Sequence, residues 1–501
     1  MLFRNTLAQS GGQIVGYVFS FLLAPLMISR LGLDAFGVWA VTGAFATYAG
    51  LLDLGVGRSL ARFIAVYDAG DEERRIEECI GLGLIVTLVV AIGVGAVAVL
   101  VAPFVSDQLG VLDAGEMRIV LLASVAIWTV NGLDGVLTGV GIGLRRMVPP
   151  NVATMVGSSI NFAFSVAALL ASTSLVVYAL ANAAAGAVAL VPAFASMHYV
   201  WRSPYAALPS RELVKEVLVF STKNQIGWLA DLINFQTDKV IIALMVDIRA
   251  AAVYEIASRV VFSVRSMAVL SVSAMIPTAA ARIVEEGRRV IREMYRRYTL
   301  RTCAVAFPLF TVTSVTAPFL LIAWLNTAPG DSELLVPFLT LAYFINVTTA
   351  VGTTIAIGAG HPGVASANSV LIAVLNVALT VALAPFFGLW GVVAGTFTAV
   401  TVGSLIFNAR FLRLFRLPRS DLAGAVVPAG ALALGLGIPP AALALAVGVP
   451  PDRATAILWL TVSFVIYAVP YWLIATRAGF LPRQLEFPPL RRRDESIASA
   501  A

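Results

Sequence analysis

The chain has 501 residues, 59% of them hydrophobic and only 12% charged, with a mean hydropathy of +0.91. Soluble domains carry about a quarter charged residues, so this composition excludes a water-soluble globular fold and indicates an integral membrane protein. The net charge of +6 and pI near 9.5 are no sign of nucleic acid, because in a membrane protein the placement of basic residues counts for more than their sum.

Crossing about 30 Å of hydrocarbon takes roughly 20 apolar residues. The chain offers about fourteen such runs, near 12–30, 35–57, 79–103, 117–143, 148–171, 174–198, 217–246, 250–280, 299–325, 333–358, 363–385, 387–409, 421–447 and 454–476. The first is too long for a signal-peptide core, "LMISRLG" offers no small-residue cleavage site, and a second span follows at once, so it is read as retained. Cys79 and Cys303 each begin a span on one side of the membrane, which excludes a disulfide framework and leaves them as packing residues.

The second span ends in "LLDLGVGRSLARF", where Asp53, Arg58 and Arg62 fall close to the last apolar turn. Arg58 and Arg62 share one helix face at i, i+4. Two readings stand side by side: arginines that snorkel to lipid headgroups, or a cationic mouth whose planar forks collect an anionic headgroup such as phosphate.

With the N-terminus placed inside, 26 of the 34 Lys and Arg residues fall in inside segments and four (Arg30, Arg118, Arg249, Arg453) outside, the remaining four lying within spans. That bias predicts both termini in the cytoplasm, with residues 477–501 as a cytoplasmic tail. The outside loops are too short to form a catalytic or binding domain, so the function is expected inside the bilayer.

The sequence overlaps itself at an offset of about 215 residues. "LGLDAFGVWAV" meets "MVDIRAAAVYEI", "AGDEERRIEECIGLG" meets "EEGRRVIREMYRRYT", Pro103 meets Pro318 and Asn161 meets Asn376. Two six-span lobes are predicted, 1–205 and 210–412, followed by two additional spans over 421–476. An even number of spans gives both lobes the same orientation, related by a pseudo-two-fold axis along the membrane normal, with substrate between them. Pro25, Pro277 and Pro308 supply kinks that rocking helices can use.

Charge breaks this symmetry. The seventh and eighth spans hold Lys223, Asp231, Asp238, Lys239, Glu255, Arg259 and Arg265, and no position 215 residues earlier is charged. A charge in hydrocarbon is costly unless paired or wet. At about 100° per residue, Lys223, Asp231, Asn234 and Asp238 form a single polar stripe, and Glu255 and Arg259 are placed for an i, i+4 pair. The stripe reads either as the wall of a wet cavity or as ion pairs that glue the bundle.

Several chemistries are absent. No G-x-x-x-x-G-K-[ST] occurs and the chain has only three lysines, which excludes ATP hydrolysis by this chain. His198 and His361 have no clustered ligand partners, so neither a metal centre nor a cofactor is expected. "GVGIGL" follows a transmembrane helix, the wrong context for a dinucleotide site.

The order "NTLAQSGGQ", "LAPLMISRLGLDAFGVWAV", "YAGLLDLGVGRSLARFIAVYDAGD", "TDKVIIALMVDIRAAAVYEIASRV" and "FGLWGVVAGTFTAV" resembles bacterial polysaccharide-biosynthesis transporters. These belong to the multidrug/oligosaccharidyl-lipid/polysaccharide (MOP) exporter superfamily, which includes the O-antigen-type lipid-linked oligosaccharide flippases. The resemblance covers roughly residues 1–412 and assigns no individual side chain. It implies two six-helix lobes, a central cavity lined by spans one, two, seven and eight, and alternating access. It also implies a cargo, an undecaprenyl-diphosphate-linked saccharide moved from the inner to the outer leaflet of the inner membrane. Membrane lipids and polysaccharide assembly proteins would be its partners.

The expected substrate-binding residues for the diphosphate or headgroup are then Arg58, Arg62, Lys223, Asn234, Lys239, Arg259 and Arg265. Asp231, Asp238 and Glu255 are the candidates for H⁺ or Na⁺ coupling. Two alternatives stay open: a cation-coupled multidrug exporter of the same fold, and a membrane glycosyltransferase or polymerase. The latter would rest on Asp107, Asp113, Glu116, Asp331 and Glu333, which are scattered over short outer loops.

Overall fold

The computed structural model describes residues 2–52, 56–201, 206–273 and 289–481, with the side chains at 2–14, 17, 49, 57–58, 223–228, 231, 269–273 and 289 outside that description. Among the described residues the chain is helical almost throughout and contains no strand. Lipid demands this, since backbone N–H and C=O groups find partners there only within the segment. The helices are α1 (Leu2–Leu31), α2 (Leu33–Ala49), α3 (Val56–Ala69), α4 (Glu73–Leu109), α5 (Ala114–Gly143), α6 (Val148–Ala171), α7 (Leu175–Val200), α8 (Arg211–Met245) and α9 (Ile248–Ser273). They continue with α10 (Arg289–Val315), α11 (Ala317–Leu325), α12 (Ser332–Asn346), α13 (Ala350–Gly358), α14 (Pro362–Leu414), α15 (Arg419–Val447) and α16 (Arg453–Arg477).

Among the described residues eight helical stretches, counting α12 and α13 as one, are long and apolar enough to cross a membrane, and α10 with α11 would make a ninth bent span. Leu100, Phe386 and Leu445 are 78%, 79% and 86% exposed, a surface suited to lipid rather than water.

The described parts of the fourteen expected stretches lie mostly on these helices, with breaks that the apolar pattern did not mark; the second stretch leaves α2 after Ala49 for a turn at Gly50–Leu52, and a separate helix, α3, begins at Val56. The ninth stretch bends by 75° at Thr316, because Pro318 can start a helix but cannot continue one. The tenth tightens into a 3₁₀ turn over Val347–Thr349, where the Thr348 and Thr349 hydroxyls donate to the carbonyls of Ile345 and Asn346 (2.7 and 2.8 Å). Within α14 the eleventh and twelfth stretches meet at Gly388, whose φ of 55° and ψ of −135° suit glycine alone. Local chemistry fixes other ends: Asp113 and Glu116 form a reciprocal capping box on α5, and Asp452 accepts from the Thr455 N–H (2.8 Å) on α16.

α4 packs on α5, α5 on α3 and α7, and α6 on α1 and α7. Later in the chain, α8 packs on α9 and α14, and α12 on those same two helices, while α10 meets α9. The two groups touch chiefly where α2 lies against α8 and α9 and where α3 lies against α8. The α2–α9 crossing is close because of Gly37: a Cβ there would sit 2.5 Å from the Ile248 carbonyl oxygen. The connector entering α8 is pinned to α4, with the Ser210 N–H and hydroxyl donating to the buried Glu78 carboxylate (3.1 and 2.7 Å).

The last two helices are anchored rather than loose. α15 docks on α10, where the Arg292 guanidinium grips the buried Asp421 carboxylate through two bonds of 2.7 and 3.1 Å. On α16, the Tyr471 hydroxyl donates to the Ala304 carbonyl on α10 (2.8 Å).

Candidate functional site

α8 and α9 run side by side, and the charged residues singled out in the sequence sort into three environments along them. The first is a chain of ions. Lys239 Nζ lies 2.9 Å from Glu255 Oε2, while Arg259 meets Glu255 Oε1 through Nη2 (3.0 Å) and Nε (3.3 Å). The three side chains are only 11%, 15% and 24% exposed, so the carboxylate is shared by two cations in a largely dry setting, leaving a net charge of +1. Arg259 continues across to α1, donating to the Ser20 carbonyl (3.2 Å) and hydroxyl (3.3 Å), with its guanidinium 5.4 Å from the Phe36 ring on α2.

Beyond Arg259 lies a cavity of about 360 Å³ walled by α1, α2, α5, α6 and α7. Its polar lining includes Asn131, Asp134, Thr154, Asn161 and Asn182. Within it, the Thr154 hydroxyl donates a long 3.4 Å bond to Asp134 Oδ2.

The second environment is a dry knot around Asp238, which is 2% exposed. Its Oδ2 accepts from the hydroxyls of Tyr254 (2.5 Å) and Thr396 (2.9 Å), and its Oδ1 from Asn376 Nδ2 (3.0 Å). Three donors from α9 and α14 thus satisfy a carboxylate that could not otherwise be buried. The Thr396 hydroxyl also lies 3.2 Å from Asn376 Oδ1, and its single proton serves one acceptor at a time.

The third is a cavity of about 280 Å³ between α8, α9, α12, α13 and α14, reached by Asn234 and Arg265. Arg265 lies between two aromatic rings, its guanidinium 5.1 Å from Phe235 and 5.6 Å from Tyr343. Asn234 Nδ2 donates to the Ser369 carbonyl at 3.3 Å.

The expected single stripe on α8 is therefore divided: Asp238 turns into the knot, while Asn234 lines the third environment. Arg62 stands apart on α3, exposed, its guanidinium 4.0 Å from the Phe220 ring of α8. Asp53 and the side chains of Arg58, Lys223 and Asp231 lie outside the described residues. Tyr254 and Thr396, which hold Asp238 together with the repeat marker Asn376, and Asp134 were not among the site residues expected from the sequence. Asp134 had a signal, a lone carboxylate within "IWTVNGLDGVLTGV". Its counterpart 215 residues later is the uncharged Thr349, so it breaks the symmetry of charge as the seventh and eighth spans do. Among the described residues no His, Cys, Asp and Glu group could hold a metal ion.

Known structures share the fold of this helical bundle. The chain superposes on the lipid II flippase MurJ in an inward closed conformation with a TM-score of 0.70, at 11% identity over 96% of this chain and 100% of that one. It matches an inward-facing multidrug resistance MATE family transporter of the MOP superfamily with a TM-score of 0.66, at 15% identity over 80% and 94%. A MOP superfamily transporter from Pyrococcus furiosus, described as having a binding pocket of reverse polarity, follows at 0.57 and 15% identity over 82% and 95%. The family described as "Polysaccharide biosynthesis protein" matches residues 2–282, and the chain belongs to that family. No curated protein sequence matches it significantly. These structural neighbours are described as transporters and a flippase, and none is described as a glycosyltransferase.

Proposed function

We propose that the protein is an alternating-access flippase that carries an undecaprenyl-diphosphate-linked oligosaccharide from the inner to the outer leaflet of the bacterial inner membrane. In this reading residues 1–205 and 210–412 are two lobes related by an axis along the membrane normal, and both termini are cytoplasmic. The observation that carries it is Arg259. It belongs to an ion chain of net positive charge, crosses to α1, and forms part of the lining of a cavity large enough for a polar headgroup group. A planar guanidinium suits a diphosphate, while the polyprenyl tail can remain in lipid. Lys239 sets the excess charge, Arg62 stands at the cytoplasmic mouth, and Asp238 is the seat of H⁺ or Na⁺ coupling.

The test is complementation in a host whose own copy of the gene is deleted. Arg259→Gln, made at normal level, should abolish surface glycan and cause lipid-linked precursor to accumulate. Normal glycan display would refute the reading.

One observation favours a second reading, a cation-coupled drug exporter. Asp134 puts a carboxylate into the larger cavity, where a cationic drug would find it. That reading requires expression to raise resistance to cationic drugs, and Asp134→Asn to abolish the gain.

A further inference from the structure

The two cavities occupy equivalent places in the chain. Phe19, Ser20, Asn131, Asp134 and Thr154 line the larger one, and the residues 215 positions later, Asn234, Phe235, Asn346, Thr349 and Ser369, line the smaller. Their polarity differs. The larger cavity has Asp134 where the smaller has Thr349, and the smaller has Arg265 where the position 215 residues earlier is Gly50.

The smaller cavity also concentrates unmet polar atoms. Nε of Arg265 and the Oδ1 atoms of Asn234 and Asn368 are buried without a hydrogen-bond partner, and all three residues line it. No residue lining the larger cavity carries such an atom among the described residues. Arg265 has no ion-pair partner among the described residues either, in contrast to Arg259. Buried polar groups left unmatched cost free energy. Three around one hollow therefore point to a ligand that enters it, with small rotations of the side chains bringing them onto it.

The chemistry of that ligand follows from the groups. Asn234 is held with its amide nitrogen on the Ser369 carbonyl, so its Oδ1 requires a donor. Arg265 offers only donors and requires an oxyanion or another acceptor. A bare diphosphate supplies acceptors and leaves the amide oxygen unmet, whereas a sugar hydroxyl supplies the donor. Thr353 and Thr354 add hydroxyls, and Phe235 and Tyr343 add apolar faces. A cavity of about 280 Å³ has room for one small ring.

We propose that this cavity, lined by Arg265, Asn234 and Asn368, is a second binding site, separate from the Arg259 seam, that takes a carboxylate-bearing sugar unit. It rests on the flippase reading only in that the cargo contains sugar, and its test requires no transport.

The purified full-length protein in nanodiscs is titrated with methyl β-D-glucuronide, methyl β-D-glucoside and pyrophosphate. The glucuronide should bind saturably, at least tenfold tighter than the glucoside. Arg265→Gln should weaken the glucuronide at least tenfold while Arg259→Gln leaves it unchanged. Asn368→Ala, away from the aromatic pair that holds Arg265, should weaken it severalfold and serves if Arg265→Gln does not fold. Absence of glucuronide binding, equal affinity for the glucoside, pyrophosphate binding that depends on Arg265, or indifference to Asn368→Ala would each overturn the proposal. Loss of glycan export in Arg259→Gln is a separate outcome, so the two readings can fail independently.

Discussion

Glu255 is the keystone of the ion chain, and replacing it with glutamine tests that role. The carboxylate meets Lys239 at 2.9 Å and Arg259 at 3.0 Å, whereas among the described residues each cation meets one carboxylate. At an effective dielectric of about 20, unit charges 3 Å apart attract by roughly 5 kcal/mol. Desolvation cancels much of that, and removing one partner of a buried pair costs about 3–5 kcal/mol because the remaining charge is stranded. With side-chain exposures of 11–24% the lower end applies, so Glu255→Gln should lose about 3 kcal/mol. Lys239→Gln and Arg259→Gln each leave a complete pair behind and should lose about 1 kcal/mol, a typical net hydrogen-bonding contribution. The assay is SDS or thermal unfolding of the detergent-purified protein, followed by intrinsic tryptophan fluorescence. Raising NaCl tenfold should alter none of these differences much, since salt screens buried pairs weakly. If Glu255→Gln proves no more harmful than either cation substitution, the shared-carboxylate arrangement is wrong.

Other perturbations probe the rest of the frame. Gly37→Ala would place its Cβ 2.5 Å from the Ile248 carbonyl oxygen, forcing α2 from α9; a stability loss of about 1–3 kcal/mol and impaired transport are expected, by unfolding and complementation. Asp238→Leu removes the acceptor for three donors and should destabilise by several kcal/mol, whereas Asp238→Asn should fold and be inactive in complementation. Trp324 stacks on Phe21 with centroids 4.0 Å apart and donates Nε1–H to the Phe21 carbonyl (2.8 Å). Trp324→Ala should therefore open α1 from α11, seen as faster maleimide labelling of a Ser20→Cys variant. The native Cys79 and Cys303 are both buried and should stay silent.

Much of the fold was legible because lipid leaves the chain few choices. Runs of apolar residues long enough to span a bilayer become helices, and among the described residues eight, or nine with the bent pair, stand out in this way. The apolar pattern could not locate the breaks at Thr316, Val347–Thr349 and Gly388, because proline, threonine and glycine act there through local hydrogen bonding and backbone torsion rather than through hydropathy. At the site, charge counting singled out Lys239, Glu255 and Arg259, and i, i+4 spacing paired the last two, but that Lys239 joins them is set by the packing of α8 on α9. Helical angle alone could not separate Asn234 from Asp238, because their different surroundings are set by α9, α12 and α14. Tyr254, Asn376 and Thr396 were invisible as ligands of Asp238, each being an ordinary polar residue until α9 and α14 bring it within 3.0 Å.

The distribution of bond strengths bears on how such a bundle can rock. The strong ionic contacts on α8 and α9 join residues of the C-terminal group to one another: Lys239, Glu255 and Arg259 are all in it. Apart from the Ser210–Glu78 bonds and the partly exposed Arg75–Glu212 pair at the start of α8, the described contacts that cross to the N-terminal group are weaker in kind. They include the Tyr48–Thr237 hydroxyl pair at 2.6 Å, the Ser221–Ser59 bond at 2.8 Å, Arg62 over Phe220 at 4.0 Å, and the Phe21–Trp324 stack. Each is worth about 1 kcal/mol net, so the groups can part at one side and meet at the other without breaking a buried ion pair. Within the α8–α9 ion chain, Arg259 links the two classes, since the guanidinium held by Glu255 also grips Ser20 on α1. A diphosphate competing for that guanidinium would weaken the hold on Ser20. In the proposed cycle, substrate binding and release of the α1–α9 contact would then be a single event, and a ligand that differentiates between the joined and parted states is what an alternating-access equilibrium needs.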